Sequence, residues 1–521
     1  MDETSAFHDF TPAIYRLPNE IIVQIFLHYA ENALPYRQSI RTQVSNMPVG
    51  WLSLMLVCRH WRDVALASPT LWRFIDATSN TSWMALLLAR SVPATIDLAF
   101  GLHRFSLEEA LAVLSPHASR LRSLKFARIP DAWRPAAVSL LRNSAGFPNL
   151  EVLDFPILPA RASLKNVFED IGLSSQRFPS LHSLFLHLTI APQDPLLCAR
   201  LRRLSLDNCI CGPSLEQFLD VLASCTLLQD LTLIASLQHL QGDWLGSRTL
   251  LRDPMHLPNL RALILRGHSA PQTSRFLAYL YLSPAVAVDI AADVLDVGPT
   301  HDIYDVLPPA YAQTIPALAT NTHLSVAPEF EVFALCSRNE EAVLSPEVIL
   351  TLQGDSSNRG WWTRQSLPCA IRSLVRIFGS GPLRSLDVGG DIGSVEPDEW
   401  ESVFRAFPRL ESFRASAPGN MTCSLDGLFM GLRNASLTGI SPACPHLKLV
   451  EIKAWSHEEK RFFDALVKCF QTRSEKGLLL QKLEVSLSSY SDSSETIITS
   501  DTRLQGRVAE HHVRHIFCKC I

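Results

Sequence analysis

Past residue 75 the chain repeats one alternation of apolar and polar positions, Leu-x-x-Leu-x-apolar, often introduced by Phe, Leu or Cys followed by Pro. Its first copy is Leu121-Arg122-Ser123-Leu124-Lys125-Phe126. Later copies open at Leu150, Leu181, Leu201, Leu228, Leu260, Leu383, Leu410, Leu447 and Leu480. Alternation of this kind predicts a short strand with one face buried. The steps run from 20 residues (181 to 201) to 32 (228 to 260), a period typical of solenoids. Between copies, 107–114, 215–222 and 458–470 carry apolar residues at helical spacing and predict helices. One strand and one helix cannot bury each other alone, so neighbouring units must stack into a continuous core. Residues 286–370 carry the phrase poorly: 286–290 and 323–326 read as degenerate strands, and 353–360 as an exposed loop. Trp361-Trp362 beside Arg364 reads as core packing, or else as an anchor on a loop.

The amino-terminal 75 residues are patterned differently. Leu17-Pro18 predicts an extended turn before a helix, on which Ile21, Ile22, Ile25 and Phe26 give a broad apolar face. A second apolar stretch, residues 51–57, runs into Cys58, and a third short helix is expected from Trp61 to about Ala67. Three short helices cannot bury all of that surface, so part of it is expected to await a partner. An unrelated three-helix domain would instead use the same residues as its own core.

Four blocks within these residues, Leu17-Pro18 with Glu20, Ile25-Phe26, Val57-Cys58 with Trp61-Arg62, and Leu71-Trp72, resemble the F-box, or F-box-like, family. A polar, Pro-containing insertion at 31–50 is similar to that of F-box-like proteins common in mushroom-forming fungi. The later units resemble irregular leucine-rich repeats, with the Asn or Cys expected after each strand clear only at Asp207-Asn208-Cys209. The expected fold is therefore α/β: a small all-α module at 16–76, then an irregular leucine-rich-repeat solenoid at 77–487. Residues 1–15 and 488–521 would be tails, the second of them mobile. A conventional α/β sheet with leucine-rich strands is the competing fold.

The family resemblance implies docking on a Skp-family adaptor and, through it, a cullin scaffold of a ubiquitin ligase, with the repeats holding a protein target. Leu17, Pro18, Glu20, Ile21, Ile25 and Phe26 would form one part of the docking surface. Val57, Cys58, Trp61, Leu71 and Trp72 would form another, with Trp61 and Trp72 alternatively packed inside the module. The rival reading is a repeat scaffold whose first helices only cap the solenoid.

Composition narrows the alternatives. In 521 residues, 47% are hydrophobic and 19% charged, and the net charge is −4, so there is no electrostatic footprint for nucleic acid or an anionic membrane. The acidic opening Met1-Asp2-Glu3 and the lack of a long apolar run predict a soluble cytoplasmic or nuclear protein with reduced thiols. No phosphate-binding loop, dinucleotide fingerprint, zinc-protease helix or nucleophile elbow occurs, so no residue is assigned a catalytic role and no cofactor is expected. Cys209-Ile210-Cys211 reads as two semi-buried thiols after a strand. The terminal His511, His515, Cys518 and Cys520 form the most metal-like group, and the favoured reading there is an unstructured tail.

Overall fold

The computed structural model describes residues 17–33, 50–77, 80–101, 107–126, 129, 131–144, 146–156, 168–240, 253–293, 303–329, 332–338, 347–353, 359–379, 381–417, 424–437, 442–455, 459–488 and 513–520. The chain divides into two compact units, residues 1–228 with 239–241, and residues 229–238 with 242–521.

In the first unit, helix α1 (Asn19–Ala33), a 3-10 turn (Gly50–Leu56), helix α2 (Arg59–Leu66) and a second 3-10 turn (Pro69–Arg73) lead directly into a sheet. Its strands are β1 (Phe74–Ala77), β2 (Ile96–Phe100), β3 (Leu121–Phe126), β4 (Val152–Pro156), β5 (Ser183–His187) and β6 (Arg203–Asp207). Each pairs in parallel with the next. Helices α3 (Thr81–Arg90), α4 (Leu107–Leu114), α5 (Arg134–Asn143), α6 (Pro195–Cys198) and α7 (Leu215–Ser224) carry the crossovers.

The phrase explains this stacking position by position. Its second leucine forms a register column through Leu98, Leu124, Leu153, Leu184 and Leu204, all buried. Each such side chain contributes about 1.5–3 kcal/mol of burial. Three residues before the first leucine, Phe147 stacks on Phe178 at 5.4 Å, and buried Cys198 and Cys225 hold the same place in the next two repeats. Seven residues after the first leucine, Leu188 and Asn208 adopt left-handed backbone (φ 54° and 50°), which turns the chain off the sheet. The Leu188 amide then donates to the Asp207 carbonyl at 3.1 Å.

The second unit holds β7 (Asp230–Ile234), β8 (Met255–His256), β9 (Ala262–Ser269), β10 (Leu280–Tyr281), β11 (Ala287–Asp293), β12 (His323–Glu329), β13 (Val332–Arg338) and β14 (Val348–Gln353). They are followed by β15 (Ser385–Gly389), β16 (Ser412–Ser416), β17 (Leu449–Trp455), β18 (Leu480–Ser488) and β19 (Val513–Cys520). β7, β9, β11 and β14 pair in parallel, as do β12 and β15 through β19. Between these runs β13 is antiparallel to both β12 and β14. The repeat is thus interrupted by a three-stranded meander. Ala235, Gly267 and Gly390 keep the left-handed position found in the first unit (φ 48°, 69° and 117°).

Helices of this unit are α8 (Ala270–Ala278), α9 (Tyr311–Thr314), α10 (Ala317–Thr320), α11 (Arg359–Phe378), α12 (Pro397–Ala406), α13 (Asp426–Leu437) and α14 (Glu459–Glu475). α12 and α13 approach through glycine. A Cβ on Gly431 would stand 2.4 Å from Trp400 Cβ and 2.7 Å from the Pro397 carbonyl oxygen.

Two arginines tie one repeat to the helix end before it, and a third ties α14 to the segment after α13. Arg120 donates to the Leu88 and Ala94 carbonyls at the end of α3 (3.3 and 2.8 Å) and to the Ser91 hydroxyl at 2.7 Å. Arg177 donates to the Leu141 and Ser144 carbonyls at the end of α5. A cation there satisfies carbonyls that a helix terminus leaves open and complements its dipole. Arg473, inside the core, instead reaches the Ser436 hydroxyl near the end of α13 and the Ala443 and Cys444 carbonyls in the segment beyond it, at 3.0, 3.1 and 2.9 Å.

Three expectations differ from the structure, and two strands were not read. The expected loop at 353–360 is bounded by β14 and α11, with Arg359 and Gly360 already helical, and 354–358 lie outside the described residues. Trp361 and Trp362 sit on α11, not on a loop. β13 and β14 were not legible as strands of a meander, because the repeat phrase is absent from them. Within the expected tail, Val513–Cys520 pairs as a strand in parallel with β18. His511 lies outside the described residues.

His268 on β9 gives the fold a pH dependence. It is 1% exposed, hydrogen-bonds through Nε2 to the Leu233 carbonyl at 3.1 Å, and burial pushes its pKa down to about 4. The folded state therefore favours neutral imidazole. The associated stability, about 3 kcal/mol, is complete above pH 6.5 and is lost as pH falls toward 4. Melting temperature should drop across that interval, and His268→Asn should flatten the drop while keeping a donor for Leu233.

Candidate docking surface

The amino-terminal module is organised by one turn and one cap. The Pro18 carbonyl accepts the Ile21 and Ile22 amides at 3.0 and 3.2 Å, which starts α1 directly after the Leu17-Pro18 turn. Cys58 is the N-cap of α2, its Sγ accepting the Trp61 amide at 3.4 Å. Sulfur replaces the Ser or Asp oxygen usual at this place. Trp72 closes the module, donating through Nε1 to the Ala65 carbonyl at 2.9 Å, while the Arg90 guanidinium lies 4.7 Å over its ring.

The apolar face read on α1 is two faces. Ile22, Phe26 and Ala30 point inward at four-residue spacing and are at most 3% exposed. Phe26 meets Trp61 edge to face at 5.1 Å. Trp61, Leu71 and Trp72 complete this interior, together with Val64 and Ala65. One residue earlier on the helix, Ile21, Ile25 and Tyr29 form a second stripe at the same spacing, 46%, 41% and 44% exposed. Leu56, Val57 and Leu66 are also exposed. Pro18 and Glu20 face solvent, and Leu17 and Cys58 are half-buried.

Of the eleven residues singled out in the sequence, Phe26, Trp61, Leu71 and Trp72 thus build the module, and Cys58 shapes it through its cap. Pro18, Glu20, Ile21, Ile25 and Val57 lie where another chain can reach them, and Leu17 is partly accessible. Tyr29, Leu56 and Leu66 are exposed as well and were not singled out. The signal for Tyr29 was its place four residues after Ile25, whereas nothing in the local pattern separates exposed Leu56 from half-buried Leu54.

The module is continuous with the repeats. β1 follows Arg73 without a break and pairs with β2 from Phe74↔Asp97 onward. Asp97 also holds two arginines, Arg73 Nε at 3.5 Å and Arg122 through its guanidinium.

Elsewhere the titratable groups have structural work. Cys209 and Cys211 are fully buried rather than semi-buried, and burial pushes the Cys209 thiol up to about 11. Asp387 and Glu451 share Arg414 at 3.4 and 3.2 Å across the strands β15, β16 and β17, and Lys453 reaches Glu451 at 2.6 Å. Among the described residues no group of three His, Cys, Asp or Glu side chains is set to hold a metal ion. No described helix is long and apolar enough to cross a membrane.

Residues 14–78 match the family model described as F-box-like. No curated protein matches the chain. The architecture is accordingly an F-box-like region followed by a long, mainly parallel sheet of alternating strands and helices, like that of leucine-rich repeats.

Proposed function

We propose that this chain is a substrate-recognition adaptor of a Skp-cullin-F-box ubiquitin ligase, acting in the cytoplasm or nucleus. Its F-box-like module would bind a Skp-family subunit, and its repeats would bind a protein target. The observation that carries the reading is the bare stripe of Ile21, Ile25 and Tyr29, outside a module already closed by Phe26, Trp61, Leu71 and Trp72. A module serving only its own fold has no use for three large apolar side chains aligned in water. The chain supplies no bond-making group in this scheme. It acts by tethering, which raises the effective concentration of the target near the ubiquitin-loaded enzyme.

The capping reading also has an observation behind it, because β1 opens the sheet from within the module. Capping and docking use different faces and are compatible. Leu17→Ala with Pro18→Ala, made in the full chain, should abolish capture by a purified Skp-family adaptor while leaving the melting curve of the repeats in place. Unchanged capture would leave capping as the role of these helices. The full chain is the proper material, since Phe74 and Ile75 are buried in the sheet that a cut at residue 76 would sever.

A further inference from the structure

An open cleft of about 430 Å³ lies in the first unit beyond the ends of β5 and β6, lined by Ile190, Gln193, Ile210, Gly212, Pro213 and His239. Its size lies within the range of small-ligand sites. The walls are preformed by backbone. Ile190 and Ile210 bridge in parallel, the Ile210 amide donates to the Thr189 carbonyl at 3.0 Å, and the Ala191 amide donates to the Ile210 carbonyl at 2.9 Å. Gly212 keeps the floor open. At φ 138° it sits where other residues are strained, and a Cβ there would find nothing nearer than Gln193 Oε1 at 4.0 Å.

The two polar side chains are held in place. Gln193 directs its amide hydrogens at the Ala191 and Cys211 carbonyls, both at 3.3 Å, which fixes Oε1 as the atom offered on the other side. The His239 ring is bonded through Nε2 to Asn208 Oδ1 at 2.6 Å and packs edge to face with Phe168 at 4.9 Å. Burial lowers the imidazole pKa, so among the described lining residues no side chain carries a charge at neutral pH. Ile190, Ile210 and Pro213 supply the apolar remainder.

We propose that this cleft is a binding site for a small uncharged molecule with an apolar ring or chain and one hydrogen-bond donor directed at Gln193 Oε1. Charged ligands are disfavoured because no described lining group compensates them. The proposal stands apart from the adaptor reading, since it concerns direct binding to the full chain.

The test is titration of the full-length protein with indole, 1-methylindole and benzoate, read by ligand-observed NMR. Indole should bind, 1-methylindole about fivefold more weakly for lack of the donor, and benzoate not at all. Ile210→Glu should remove indole binding. Gln193→Ala, which leaves the apolar walls intact, should equalise indole and 1-methylindole. Absence of indole binding by the folded wild type would overturn the proposal. So would binding that survives Ile210→Glu, or a preference for indole that survives Gln193→Ala.

Discussion

Ile21→Asp combined with Ile25→Asp should weaken capture of a Skp-family adaptor at least 100-fold and leave the melting curve of the chain nearly unchanged. Both side chains are more than two-fifths exposed, so their replacement removes little from the module's own interior. At a docking surface, however, two adjacent apolar anchors would each be worth about 2 kcal/mol, and two carboxylates would add a desolvation cost. The contrast is Ile22→Asp, one position along the same helix and fully buried. It should unfold the module by placing an unpaired charge against Phe26 and Trp61, and any loss of capture would then accompany a loss of helix signal. Equal capture by wild type and the double variant would remove the docking role from this stripe.

Gly431→Ala should destabilise the second unit by about 3 kcal/mol, a fall in melting temperature of roughly 6–12 °C. The added methyl meets Trp400 Cβ at 2.4 Å, the Pro397 carbonyl oxygen at 2.7 Å and the Glu401 amide nitrogen at 2.9 Å. Two of these three atoms belong to backbone and cannot rotate away, so α12 and α13 must separate. Trp400 is wholly buried and packs on Phe404 and Phe413, so the displacement passes into the sheet. Met430→Ala, one residue away and half-exposed, should cost less than about 1 kcal/mol. Comparable losses from both variants would mean that the two helices can slide apart without consequence.

The strands were legible wherever the phrase was intact. Each of its ten copies coincides with a strand, from Leu121–Phe126 to Leu480–Ser488, because alternation and the preceding turn both point to the same backbone. Ile96–Phe100 alternates as well but has Thr95 where the phrase has its first leucine, and it was not read as a repeat. The meander was hidden for another reason. β13 pairs antiparallel, and its register depends on β12 and β14 rather than on any pattern of its own. On α1 the sequence identified an apolar surface and not its division. Ile21 and Ile22 are chemically identical neighbours about 100° apart on the helix, and only the packing of Trp61 against Phe26 decides which of them turns inward.

The arginines that bridge successive repeats have a consequence for how the chain comes off the ribosome. The Ala94 carbonyl must stay hydrated until residue 120 has emerged, while the Leu88 carbonyl meets only the Ser91 hydroxyl, and those of Leu141 and Ser144 must wait until residue 177 has. A nascent chain halted within either interval ends on a helix whose terminal oxygens still lack their cation. Completion of each layer is therefore delayed by about one period of synthesis, and a truncated product exposes its most recently made helix as the weakest one.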